Sequence, residues 1–219
     1  MGQALLIDLD FSELNLGQVK PASEGEDAPV FFDWLQSDGL AYIDTGHKLI
    51  TIYDKVLIEG GAAEVNDNLV IGGVRWSGTV GDEAQVYINQ NEKKLVPVAL
   101  TNATSAISKF NYKANSVFIA DFYNNIYTLD GVTYNHGTSV STGSEVGYSF
   151  YLFALNNVGQ IVARNNSIKI RRCEIYRNDV MIHNYLPCYY KGKYGMWDNV
   201  ANQFVGNSSQ QGAFIAGND

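Results

Sequence analysis

The stretch IKIRRCEIYRNDVMIHNYLPCYYKGKYGMWDNVANQFVGN, residues 168 to 207, decides the fold class of this chain. Apolar and polar residues alternate with period two from Ile168 to Tyr176 and again from Val180 to Cys188, which is the pattern of half-buried strands rather than helix. Between them Arg177, Asn178 and Asp179 supply residues that tolerate positive φ, so the two runs read as a hairpin. Beyond the hairpin, GMWDNVANQF is expected to bring Met196, Trp197, Val200 and Phe204 back across an edge as a lid on the core.

Working outward, the same period recurs along the chain, and no run of eleven or more residues places apolar positions at helical spacing. Strands are expected at Leu5–Phe11, Val30–Trp34, Ala41–Thr45, Leu49–Ile58, Leu69–Trp76, Gln85–Asn89, Leu95–Leu100 and Ser105–Asn111. They continue at Val117–Tyr123, Ile126–Leu129, Tyr148–Ala154 and, after the hairpin, Ala213–Ala216. Turn chemistry separates them in EGGA (59–62), NN (124–125), LDG (129–131) and NNVG (156–159). Short strands at this regular spacing predict an all-β sandwich or barrel, almost without helix.

With 219 residues, 46% of them hydrophobic, the chain is long enough to bury one sizeable core, and a single domain over 1–219 accounts for it. The polar, acidic segment 12–29 reads as a surface loop or an attachment segment rather than a linker, because the strand before it is too short to fold alone. The net charge of −8, with no basic run longer than the pairs Lys93-Lys94 and Arg171-Arg172, argues against nucleic acid. No apolar stretch reaches membrane-spanning length. The beginning MGQALLIDLDFSE has neither the basic head nor the apolar run of a secretory signal, which predicts synthesis in the cytoplasm. Cys173 and Cys188 read as reduced, buried thiols, with a bridge between consecutive strands as the alternative.

LAYIDTG (40–46), NNIYTLDGV (124–132), SFYLFALNNVGQ (149–160), the C-terminal block quoted above and GAFIAG (212–217) together resemble concanavalin A-like, laminin-G-like jelly rolls. Such domains occur in surface proteins of gut bacteria and in virion proteins of their phages. The resemblance implies two curved antiparallel sheets of six or seven strands each, and much less about chemistry, since this fold hosts lectins, glycosidases, adhesion domains and virion parts.

Laminarinase-like hydrolases of this fold carry paired carboxylates on a strand, and DLDFSE (8–13) imitates that row. Alternation already explains it: Leu5, Ile7, Leu9 and Phe11 would face inward and Asp8 and Asp10 outward. The motif in those enzymes also lies mid-chain and begins with Glu, so no catalytic residue is assigned and the chain is read as a non-enzyme. His47, His136 and His183 are far apart in sequence and read as surface or loop residues. No cofactor is expected: laminin-G-like domains often hold one calcium at a sheet rim, and Asp82, Glu83 and Asp130 are the residues that could serve, but an acid beside glycine in a turn is usually just a turn. For glycans, aromatic faces and amide side chains are needed, and Trp76, Tyr112, Tyr134, Asn156 and Asn157 are the candidates outside the core pattern.

The resulting expectation is a lectin-like protein of a virion surface, such as a head fibre, capsid decoration or tail appendage, binding host or mucus glycans and, as such appendages commonly do, forming a homotrimer with other virion proteins beside it. The alternative is a carbohydrate-binding or adhesion domain on a bacterial cell surface.

Overall fold

The computed structural model describes residues 28–50, 53–62, 69–77, 83–89, 94–100, 110–111, 116–121, 126–135, 145–164 and 167–219. The expected strand at Leu5–Phe11, most of segment 12–29, Asp82, Tyr112 and His136 lie outside these residues. Among the described residues there are nineteen strands and no helix. The first ten are β1 (Val30–Phe31), β2 (Trp34–Ser37), β3 (Ile43–Ile50), β4 (Asp54–Ala62), β5 (Leu69–Arg75), β6 (Glu83–Asn89), β7 (Lys94–Leu100), β8 (Phe110–Asn111), β9 (Val117–Asp121) and β10 (Ile126–Leu129). They are followed by β11 (Val132–Asn135), β12 (Glu145–Leu152), β13 (Ala154–Asn157), β14 (Gln160–Arg164), β15 (Ile168–Arg177), β16 (Val180–Tyr190), β17 (Lys193–Asp198), β18 (Gln203–Val205) and β19 (Phe214–Gly217).

The chain is an all-β jelly-roll sandwich of two sheets. One runs β11-β10-β9-β4-β15-β16-β17-β18, with β1 beside β16, β2 beside β15 and β19 beside β2; the other runs β14-β13-β5-β6-β7-β8, with β12 joining β5 to β3. With eleven and eight strands, the sheets are larger than the expected six or seven, because short segments extend the long strands. The hairpin that decided the fold is central: β4 pairs with β15 along its whole length, from Ile168↔Ala62 to Arg177↔Asp54. Inward residues of both sheets meet in one core that includes Ile58, Ile71, Val86, Phe118, Tyr127, Phe150, Leu152, Ile170, Cys173, Ile175 and Tyr185. Burying each such side chain stabilises the fold by about 1.5–3 kcal/mol before the entropy of ordering it is subtracted.

Several local expectations are corrected by tertiary packing. EGGA (59–62) is not a turn but the continuation of β4. A Cβ at Gly60 would stand 2.5 Å from the Lys169 carbonyl and 3.1 Å from the Phe118 ring, so that glycine serves close approach rather than a bend. The expected strands 41–45 and 49–58 are redrawn, because β3 runs on to Ile50 and β4 starts at Asp54. Strand 148–154 is broken at Phe153, whose φ of 65° lets the chain leave β12 and run parallel to β5 as β13, an exception to the antiparallel rule. The turns at Asp130-Gly131 and Asn178-Asp179 have positive φ, as their residues predict; at Val158-Gly159 the β-branched Val158 takes φ 54° against its own preference, and the expected NN turn at 124–125 lies outside the described residues.

The lid is corrected as well. Met196 enters the core, but Val200 is 49% exposed. Trp197 pairs with Phe204 and lies edge-on to Tyr190, on the opposite face from Met196, as adjacent residues of a strand must. Both cysteines are free and buried. Cys173 pairs with Tyr185 and Cys188 with Gly195; the three-residue step from Tyr185 to Cys188 puts the thiols on opposite faces of the sheet.

Candidate functional site

The tetrapeptide DTGH, residues 44–47, breaks the ladder of β3. Gly46 has φ +69°, a left-handed value that a Cβ would strain, and the register to β12 shifts on both sides of the Ser149↔Lys48 pair. Asp44 Oδ1 accepts the Gly46 N–H at 2.8 Å, while the Thr45 hydroxyl donates to the Phe150 carbonyl at 2.6 Å and accepts the His47 N–H at 3.2 Å. Irregularities of this kind re-aim neighbouring side chains. Here His47 is turned inward and is only 8% exposed.

What His47 meets is Asp54, whose side chain is fully buried. Arg177 stands directly across from it on β15 and grips both carboxylate oxygens, Nε on Oδ1 at 2.7 Å and Nη2 on Oδ2 at 2.8 Å. Oδ2 also accepts the Ile50 N–H at 2.8 Å and faces His47 Nε2 at 2.9 Å. Burial by itself would raise the Asp54 pKa, but the bonds from Arg177 and His47 and from the Ile50 amide outweigh it and hold the group at about 2. A carboxylate ionised at neutral pH must receive a proton from Nε2. In neutral His47, Nδ1 is therefore the acceptor.

His183 repeats the arrangement. Its Nδ1 faces Asp198 Oδ2 at 2.6 Å, and Asp198 Oδ1 accepts the N–H groups of Asn184 at 3.1 Å and Val200 at 3.0 Å. Burial pushes the Asp198 pKa up, yet the His183 bond and the backbone amides bring it below the usual carboxylate value. The proton of neutral His183 accordingly sits on Nδ1, and Nε2 is the acceptor. The His183 ring stacks on Tyr185, with centroids 5.4 Å apart and planes 13° apart, and meets the His47 ring edge-on at 5.3 Å. The Tyr185 hydroxyl, whose pKa is raised mainly by burial, donates to the Thr45 carbonyl at 3.3 Å and so ties the two sheets together beneath the histidines.

Thr45, Gly46, His47, Lys48, Glu145, Arg177 and His183 line one depression of about 310 Å³ at the rim of the sandwich, where β3 and β12 of one sheet meet the ends of β15 and β16 of the other. It combines acceptors, the two imidazole nitrogens and Glu145, with donors on Lys48 and on the guanidinium N–H groups of Arg177 not aimed at Asp54. Mixed donors and acceptors on a rigid rim suit a ligand rich in hydroxyl groups.

No family model matches the chain, and no curated protein does. Among solved structures, the mouse laminin alpha1 chain, domains LG4-5, is similar at 13% identity with a TM-score of 0.45, over 89% of this chain and 52% of that one. The chain thus spans about half the length of that laminin piece. Among the described residues no helix is long and apolar enough to cross a membrane.

Among the described residues, the glycan candidates Trp76, Tyr134, Asn156 and Asn157 do not line the depression. Trp76 and Tyr134 pack partly buried against the core. Asn156 is buried and holds the turn after β13, donating from Nδ2 to the Ser149 carbonyl at 2.8 Å and accepting the Gly159 N–H at 2.9 Å. Asn157 ends that strand, pairing with Arg75 on one side and Gln160 on the other. The calcium candidates are engaged elsewhere. Glu83 is buried against Arg75, whose Nε donates to it at 2.6 Å, and Asp130 accepts the Val117 N–H at 2.9 Å and the Ser116 hydroxyl at 2.8 Å. Carboxylates so spent do not fit a calcium cage, and among the described residues no three His, Cys, Asp or Glu side chains are grouped to hold a metal.

Sequence reasoning missed His47 and His183, reading them as separate surface residues. Asp54 follows His47 by seven positions across a turn, and Asp198 follows His183 by fifteen around a hairpin. Each carboxylate signal is thus local, but only the stacking of the sheets brings the two pairs together.

Proposed function

We propose that this chain is a non-catalytic, lectin-like domain that binds glycan in the rim depression and is carried on a virion surface, as a fibre, decoration or tail appendage. The observation that carries the glycan reading is the convergence of two carboxylate-held imidazoles with Lys48, Glu145 and Arg177 in one depression. Hydroxyl groups donate and accept at once, and this set offers both.

The virion placement rests on the resemblance of most of the chain to concanavalin A-like, laminin-G-like jelly rolls, which occur in phage virion proteins; a bacterial cell surface is the other placement that resemblance supports. A glycan array of host polysaccharides and mucins tests the binding: discrete hits that weaken at least tenfold in Lys48→Ala support it, and silence across the array overturns it. Antibody labelling of phage particles against bacterial surfaces decides the placement, and light scattering giving three times the 24.2 kDa chain mass would support the homotrimer.

A further inference from the structure

We propose that the acidic and apolar run LLIDLDF, residues 5–11, which lies outside the described residues, docks within its own chain on the aromatic outer face of the β16–β17 hairpin. That face is separate from the rim depression, because the strand from His183 to Tyr190 covers about 23 Å. On it Tyr190 stands edge-on to Trp197 at 5.3 Å and meets Phe204 at 5.7 Å. The Phe204 ring lies over Gly195, where a Cβ would come within 2.7 Å of it. Phe31, paired with Cys188 across β1, extends the same face and is 44% exposed. Clustered rings of this kind are the usual anchors of a protein interface.

Charge and ring geometry select the occupant. Lys191 and Lys193 flank the turn, Lys191 over the Tyr190 ring at 5.0 Å and Lys193 paired with Tyr190. Residues 186–190 and 193–197, β1 and β18 carry no carboxylate, so this end of the hairpin is basic in a chain of net charge −8. The planes of Trp197 and Phe204 are turned 65° and 43° from that of Tyr190. Such rings offer no common shelf to a sugar, whereas branched apolar side chains fit between them. The occupant must therefore bring apolar side chains and acids together. Ile7, Leu9 and Phe11 supply the first and Asp8 and Asp10 the second, in alternation. Laid on the rings by its apolar side, the run meets the Lys191 and Lys193 ammonium groups at its edge, where their long stems carry them. Glu24, Glu26 and Asp27 are nearer in sequence but have no apolar residue among them. The tether is also in the right place: Val30 pairs antiparallel with Tyr189, so the residues before it lead past the Lys191 turn, and residues 12–27 reach about 50 Å when extended. A tether of that length gives an effective concentration on the order of millimolar, at which a few apolar contacts and exposed ion pairs suffice.

The test uses the full chain. Zero-length carbodiimide coupling read by peptide mass spectrometry should join Lys191 or Lys193 to Asp8 or Asp10, and a mixture of nitrogen-15 and unlabelled chains should give no mixed-label products. Chymotrypsin cleavage after Leu9 and Phe11, referred to the rate in a free peptide of residues 1–27 with the same sequence, should quicken about fivefold in Lys191→Glu/Lys193→Glu, as the loss of two exposed ion pairs implies. It should quicken likewise in Asp8→Lys/Asp10→Lys, and the four changes together should restore the slow rate. A mere loss of stability would deepen in that combination instead. Coupling only to carboxylates outside residues 5–11, or cleavage indifferent to the charge reversals, overturns the proposal. Mixed-label products overturn it by giving the face to a second copy. A glycan-array signal that falls at least tenfold in Lys191→Glu/Lys193→Glu overturns it by giving the face to a sugar.

Discussion

Replacing Asp54 by Asn removes the charge on which the rim is organised while preserving its shape. In the folded protein Asp54 is held at about 2 against an ordinary 3.8, and at about 1.4 kcal/mol per tenfold change in proton affinity this corresponds to about 2.5 kcal/mol of stability. The sign follows from the direction: a depressed carboxylate contributes fully above the unfolded value and loses its contribution as pH falls through the folded one. Asp54→Asn should therefore unfold with a free energy about 2.5–4 kcal/mol below wild type at about pH 6, the upper end reflecting an Arg177 left without its carboxylate. The corresponding fall in Tm is about 5–10 °C. As pH drops from about 5 toward 2 the wild-type curve should descend toward that of the variant, because the unfolded chain takes up the Asp54 proton over this range, and the curves meet only below the folded value of about 2. Urea titrations followed by tryptophan fluorescence at several pH values measure this directly. Curves that stay parallel through the acid range would refute the claim that Arg177, His47 and the Ile50 amide overcome the burial of Asp54.

Gly60→Ala should cost about 1–3 kcal/mol in urea or thermal unfolding, because its Cβ would sit 2.5 Å from the Lys169 carbonyl between two paired strands; an unchanged midpoint would mean that the strands have room to part. Asp179→Gly should raise stability by about 0.5 kcal/mol, since Asn178 and Asp179 have φ of 51° and 61° and the second position of such a turn favours glycine; a lower melting temperature would contradict that turn type. Burial raises the Cys173 thiol well above its ordinary pKa and pushes Cys188 up to about 12, so neither should react with a disulfide reagent at about pH 8 until the protein is unfolded. Both should then react, and an intact mass lower by two hydrogens would expose a bridge instead.

The fold class was legible because strand alternation and turn residues act locally. Ile168–Tyr176 and Val180–Cys188 declare their buried face in every second residue, and Asn178-Asp179 declares the bend between them, without reference to any other part of the chain. Glycine was the ambiguous letter. At Gly131 and Gly159 it marks a turn, and at Gly60 it marks the close passage of β15 and the Phe118 ring; the residue is the same, and only the neighbour across the sheet distinguishes the two uses. Phe153 likewise reads as one more apolar residue of a strand, while its φ of 65° is imposed by the crossing from β12 to β13.

The rim depression was the least legible part. By itself the sequence determined an all-β chain, its central hairpin and most of its turns, since each depends on residues within a few positions of one another. Only the tertiary structure decided that His47 and His183, more than a hundred residues apart, would touch, that Asp54 would stay charged in the dark of the sandwich because Arg177 lies across from it, and that Trp76, Tyr134 and Asn156 would serve packing and turns. The reason is physical: hydrogen-bond partners and local dielectric are set by what the second sheet brings over the first, and alternation within a strand says which way a side chain points but not what it will meet.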